Sequence, residues 1–459
     1  MRRIARARFD AFAGYCRSPL VSQLAHELEW FESADGNVLA TLIIDTDEEF
    51  SGIVFARDLR DRFRWVGQTS FFLTADAAVE ALGPLVEEIS SDLETRRVQG
   101  DERGGSVDFF APTVPNERLH PNFRRLAEDS GQEAAKNLIQ AMMRWYEDRD
   151  GNFIQQFQTD GFDARVWELY LWATLVSLDY AAEFPAPSPD LLAHGVGATF
   201  AIEATTVNPS VHKGRAIPTP TPKSEDEVAD YLRNYLPIRF AGPLTAKLGK
   251  RYWERDSVVG LPFALAIQDF HADFSMTFSG AALPSYLYGI DLVGSVQVDD
   301  VEVPHEKVSS HTWRGKTVQS GFFDLPGAQN IAAVIFNASG TLSKFGRIGT
   351  KVGLGSANAR IIHVGLRQVG DGESLIATPF SEEVSEGYPE EWIDGMEVYH
   401  NPTALHPLDP MWLPGAAHHR CIAGRFESLV PEGHLSASRT AVVNIVNGNN
   451  LDPHRVEPI

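Results

Sequence analysis

One helix limits what this chain can become. From Phe162 to Leu178 the sequence is apolar on nearly every side, with Phe162, Val166, Trp167, Leu169, Tyr170, Leu171, Trp172, Ala173, Leu175, Val176 and Leu178 leaving no polar stripe. Such a pattern reads as a helix buried all round. Glu168 is the only charge in it after Arg165. An ionised carboxylate taken out of water costs several kcal/mol unless a cation or strong donors meet it. Glu168 therefore needs a purpose or a partner.

The chain breaks after Asp179 and runs through Pro185, Pro187 and Pro189 to Asp190. Two apolar residues and a Gly-containing turn follow, and then Thr199 to Val207, whose β-branched and aromatic content predicts a strand. Asp190 opens one strand of a hairpin and Glu203 lies within the next. The order is a helix with Glu, a strand opening on Pro-Asp, a turn, and a strand carrying Glu-x-Thr.

This order resembles the PD-(D/E)xK nuclease superfamily, with Pro189 and Asp190 as the "PD", Glu203 as the "(D/E)" and Glu168 as the acidic residue of the preceding helix. The resemblance covers about 161–275, a quarter of the chain. It implies a restriction-endonuclease-like αβββαβ core within a mixed α/β protein. It also implies that Glu168, Asp190 and Glu203 hold Mg²⁺ or Mn²⁺, hard cations that take oxygen ligands, polarise a phosphate and activate a water. Where the motif's lysine belongs stands Thr205. In this superfamily the lysine migrates to a neighbouring helix, and Lys247 is the first candidate and Lys250 the second. Leu244, Leu248 and Tyr252 form the buried stripe of that helix at i, i+4 and i+8, and Lys247 lies beside it. A lysine there stabilises developing negative charge or orients the water.

With 459 residues, 43 % hydrophobic and 22 % charged, the chain has room for several domains and a substantial core. Its net charge of −22 opposes indiscriminate nucleic-acid binding, so any such binding needs a local basic surface. Cys16 and Cys421 show no metal or disulfide spacing, which fits a reducing cytoplasm. The Arg-rich start lacks an apolar stretch behind it, and no apolar run is long enough for a membrane span, so a cytoplasmic location and no membrane partner are expected.

Along the chain, 1–96 reads as a small α/β module with strands at 38–44 and 51–56 and a helix at 75–91. The Gly, Pro and Asp content of 97–130 predicts a linker, 131–279 the nuclease-like core, and 280–459 a β-rich region with no long amphipathic helix. The Pro-rich loop after Glu203, 208–227, is long enough to be a lid or positioning loop. In 344–367 the cations Lys344, Arg347, Lys351, Arg360 and Arg367 occur with several glycines and no acid. A Gly-rich turn with flanking cations suits nucleic-acid phosphates, and Lys344, Arg347, Lys351 and Arg360 are the candidate backbone contacts. His400, His406, His418 and His419 match no zinc spacing and are expected as tertiary hydrogen-bonding residues. The residues beyond Val443 read as a mobile tail.

The expected function is a metal-dependent phosphodiester hydrolase acting on nucleic acid, DNA ahead of RNA. No base-specific motif is present. The alternative is a nuclease-like scaffold that no longer cuts and serves as a binding or assembly subunit, favoured by Thr205 at the lysine position. A homodimer is an expectation from analogy with enzymes that cut two strands.

Overall fold

The computed structural model describes residues 1–102, 104–146, 151–213, 215–292, 305–370, 375–445 and 457–458. Most of the expected C-terminal tail lies outside these residues. The chain is a mixed α/β protein.

The first sheet is a meander of β1 (Arg2–Ile4), β2 (Ala25–Glu32), β3 (Val38–Asp45), β4 (Phe50–Arg57) and β5 (Phe63–Gln68), antiparallel throughout. Strand alternation gives it two apolar faces. Val38, Ala40 and Leu42 pack with Ala78, Leu82, Val86 and Ile89 of helix α2 (Ala75–Ser91), while Leu39 turns to Phe9 and Ala13 of helix α1 (Arg6–Ala13). The stretch 97–130, expected as a linker, is packed: Phe109, Phe110, Phe123 and Leu126 are buried in the main core.

That core is built on an eight-stranded sheet. Helices α3 (Glu133–Met143) and α4 (Phe162–Ser177) lead into β6 (Ala181–Glu183), β7 (Leu191–Gly195) and β8 (Ala198–Val207). Helix α5 (Leu236–Leu248) then precedes β9 (Phe263–Asp269) and β10 (Ala333–Asn337). After helix α6 (Leu342–Lys351) the sheet is completed by β11 (Met396–His400), β12 (Ala417–Ile422) and β13 (Arg425–Leu429). The eight strands stand side by side in chain order. The pairs β6–β7 and β7–β8 are antiparallel, while β8–β9 and β9–β10 are parallel. Among the residues beyond 280, β10 to β13 extend the sheet that begins at 181, while 359–370, 375–384 and 435–444 pair in a sheet of their own.

Both faces of this sheet are covered, which is why β9 is buried at every residue. Its Ala264 and Ala266 face the layer containing α3, α4 and α6, and its Phe263, Leu265 and Ile267 face the layer containing α5. Helix α4 lies inside the first layer, its Trp167 indole donating to the Ala266 carbonyl at 3.2 Å. A helix with packing on every side needs no polar stripe.

The structure corrects the reading of 344–367 as an exposed phosphate-binding turn. Residues 342–351 form α6, with Leu342, Phe345, Ile348 and Val352 packed into the core. A Cβ on Gly349 would stand 2.3 Å from the Ala134 carbonyl, so this glycine permits the close approach of α6 to α3. Lys344 and Arg347 are 0 % and 1 % exposed and engage Glu390. Lys351 pairs with Glu391, and Arg360, though on the surface, pairs with Glu383. All four proposed phosphate contacts have carboxylate partners within the chain.

Candidate functional site

Three consecutive features of the central sheet bring the acidic residues together. Asp190 precedes β7, and the Leu191–Ile202 register places it beside Glu203 on β8. The Asp190 Oδ2 accepts from the Ala204 amide at 2.7 Å, which ties the strand start to the neighbouring strand. Glu168 comes from the middle of α4, its carboxylate paired with Arg165 one turn earlier.

The fourth group arrives from α5. Lys247 donates from Nζ to Glu203 Oε1 at 2.5 Å, with Glu203 only 3 % exposed. Leu244 and Leu248 bury the helix against the sheet, and Lys247 in its last turn reaches the carboxylate beside them. Tyr252 was expected on the same helix as Leu244 and Leu248, but that helix ends at Leu248, and Arg251 takes a left-handed conformation with φ of 51°. Lys250 therefore lies past the helix end. It is exposed and stands over the Tyr252 ring at 5.9 Å. Thr205, two positions along β8 from Glu203, is half-buried.

The electrostatics show how closely the carboxylates share one space. Burial, and next the Asp190 charge, push the Glu168 carboxyl up to about 8 against the opposing pull of Arg165 and Lys247. Burial and then the Glu203 charge push Asp190 up to about 6, while Lys247, the Ala204 amide and Arg165 pull it down. Asp190 is thus the common neighbour of both glutamates. Lys247 acts on Glu168 and Asp190 and bonds to Glu203.

No family model, curated protein or solved structure matches this chain. What the site can do has to be argued from its own atoms.

Glu203 Oε2 is buried with no hydrogen-bond donor in bonding geometry. An acceptor left in this state costs on the order of 1–3 kcal/mol, more when charged, and suits a cation or a donor from outside. Three carboxylates of this kind are the donor set of a hard divalent cation. Among the described residues no three His, Cys, Asp or Glu side chains stand together as a ready cage. Here Arg165 and Lys247 already occupy oxygens of Glu168 and Glu203.

Two neighbours escaped sequence reasoning as members of the site. Arg165 was legible only as a charge at the start of a buried helix, and Tyr252 only as part of an apolar stripe. In the fold the Tyr252 hydroxyl is held protonated by burial and by the adjacent Glu203. The Arg255 guanidinium stacks over its ring at 5.0 Å. The i, i+3 spacing of Arg165 and Glu168 was the available signal for the first. His400 and His418 hydrogen-bond each other at 2.9 Å, and His419 bonds Ser428 at 2.8 Å.

Proposed function

We propose that this chain is a metal-dependent phosphodiester hydrolase acting on nucleic acid, with Glu168, Asp190, Glu203 and Lys247 as its working groups. The observation that carries this reading is the Lys247 Nζ to Glu203 Oε1 contact of 2.5 Å beside an Asp190 whose charge is felt by Glu168. A lysine from the following helix bonds the β8 carboxylate, with Asp190 and Glu168 near enough to feel its charge. The succession α4, three antiparallel strands, α5 and a parallel strand supports a restriction-endonuclease-like core.

Glu168, Asp190 and Glu203 would hold Mg²⁺ or Mn²⁺, which supplies charge for the scissile phosphate and lowers the pKa of an attacking water. Glu168, whose carboxyl burial and the Asp190 charge push up to about 8, would have to shed a proton to hold such a cation, so binding would release protons. Lys247 turns from Glu203 Oε1 to a non-bridging phosphate oxygen, where its ammonium offsets charge that grows in the transition state. The Ala204 amide keeps Asp190 Oδ2 in place throughout. Burial of these groups keeps competing water away and strengthens each interaction.

The test is cleavage of linear, circular and single-stranded DNA and of RNA with Mg²⁺ or Mn²⁺. We expect cutting that Glu203→Ala lowers by about 10³-fold or more, equivalent to about 4 kcal/mol. Cutting that survives the substitution sinks the proposal.

A binding or assembly subunit is the second reading. The direct Lys247–Glu203 pair favours it, because a carboxylate already neutralised by a lysine has less call for a metal. Calorimetry with Mn²⁺ separates the two: cation binding without cleavage of any substrate supports the subunit.

A further inference from the structure

Among the acid-free, cation-bearing stretches beyond β8, which include 236–253 and 325–370, two more meet in the fold. Residues 208–223 contain His212, Lys213, Arg215 and Lys223, and residues 307–323 contain Lys307, His311, Arg314 and Lys316. In a chain of net charge −22 such stretches stand out, and the fold brings these two to one place.

They meet around Tyr235. From the first segment, Thr219 lowers the Tyr235 pKa by hydrogen bonding against the larger effect of burial, which raises it. From the second, Trp313 packs its edge on Tyr235 with ring centres 5.4 Å apart. Arg239 of α5 bonds Ser210 and the Asn208 carbonyl at the start of the first segment. The second segment is a hairpin, with Trp313 paired to Lys316 and a tip of Arg314 and Gly315 at φ of 46° and 84°. Both central residues lie in the left-handed region that a tight hairpin turn demands. Arg314 and Lys316 are exposed at this tip.

The aromatic surface is braced from beneath. Tyr235 stacks on Tyr231 at 4.7 Å, and the Tyr231 hydroxyl meets His271 Nε2 at 2.8 Å. His271 Nδ1 in turn bonds Asp269 Oδ1 at 2.8 Å, where β9 ends. Asp269 pairs with Val207, the last residue of β8. At about 3.3 Å per residue this places the foot of the brace, at Val207, on the order of 13 Å along β8 from Glu203.

We infer that Tyr235 and Trp313, with Arg314 and Lys316 at the adjoining hairpin tip, form a shelf for single-stranded nucleic acid. Bases stack on the half-buried rings and phosphates meet the cations of the tip. A duplex offers no free base faces for such rings. The inference names the form of substrate for the site proposed above and rests on that reading for its role in cleavage, though not for binding.

Fluorescence anisotropy of labelled oligo-dT and oligo-U on the full chain in chelator tests it. Trp313→Ala is expected to weaken binding by about 10-fold, the range for loss of one base–aromatic stack, and Trp313→Phe to restore most of it. Arg314→Ala with Lys316→Ala is expected to flatten the dependence of log K on log salt by about 1.4. Oligo-dT and oligo-U bound alike indicates stacking and phosphate contact without sugar recognition, as the shelf requires. No single-strand binding, tighter duplex binding, or affinity unchanged in all these variants overturns the shelf. Binding lost with the shelf in a chain that never cuts leaves the shelf standing and removes the nuclease.

Discussion

Two clusters of buried charge in this protein differ in their balance. Around Glu390 the cations outnumber the carboxylate: Arg347 bonds both of its oxygens at 2.6 and 2.7 Å and Lys344 lies at 3.6 Å. Arg347 also donates to Thr440 and Lys344 to the Asp394 carbonyl. Burial alone would raise Glu390, but Arg347 and Lys344 outweigh it and hold the carboxyl at about 2. Around Asp190 three carboxylates face Arg165 and Lys247, two of them are pushed upward, and one oxygen of Glu203 has no donor in bonding geometry, though the Tyr252 hydroxyl lies beside that carboxylate. The first cluster is closed within the chain. The second has capacity left for something positive, which separates a structural ion network from a candidate site.

The largest expected effect breaks the closed cluster. Arg347→Ala leaves Glu390 charged in the interior with only Lys344 beside it, and should cost about 3–5 kcal/mol in urea unfolding, with no recovery on adding Mn²⁺. A loss below about 1 kcal/mol would show that the network adds little and that the contrast drawn here is false.

The pH dependence of stability sharpens the contrast because the clusters have opposite signs. Glu390 falls from 4.5 to about 2 on folding, so its stabilisation is present above pH 4.5 and lost as pH drops toward 2. Glu168 and Asp190 rise from 4.5 and 3.8 to about 8 and about 6. Their protonated forms favour the fold, so that contribution is full below about pH 4 and is lost as pH climbs through 6 and then 8. Unfolding in chelator between pH 5 and 8 should show stability falling with pH by on the order of a few kcal/mol, and Glu168→Gln should flatten the fall. An unchanged slope in that variant would mean Glu168 is ionised in the fold at neutral pH. Mn²⁺ should then stabilise the parent most at pH 8, where the carboxylates are most fully charged.

Much of the site was legible from the chain because it is local. Glu168 in an apolar helix, Asp190 after a proline run and Glu203 in a β-branched strand each announce themselves within a few residues, and the spacing Leu244, Leu248, Tyr252 located Lys247 beside the buried face. The cations of α6 misled for the opposite reason. Their partner Glu390 is some forty residues away, so 344–367 looked free of acid although the fold supplies one. Leu342, Phe345, Ile348 and Val352 at helical spacing were the local signal that this stretch is a helix, and the glycines obscured it. That β10 to β13 join the central sheet depends on pairing between β10 and β9, contacts that no local pattern encodes.

The smallest expected effect decides which lysine belongs to the site. Lys250 lies beyond the end of α5, exposed, with its ammonium over the Tyr252 ring at 5.9 Å. An exposed contact of that kind is worth about 0.5–1 kcal/mol. Lys247 stands over the same ring at 5.8 Å but spends its charge on Glu203, where burial makes the interaction stronger. Lys250→Ala should therefore change cleavage and Mn²⁺ affinity by about twofold or less, while Lys247→Ala lowers cleavage by about 10²-fold or more. If Lys250→Ala does the greater harm, the lysine that works is the one past the helix end, and the last turn of α5 must rearrange before the chain acts. The Lys247–Glu203 contact would then mark the resting form, with Glu203 freed only when that turn opens.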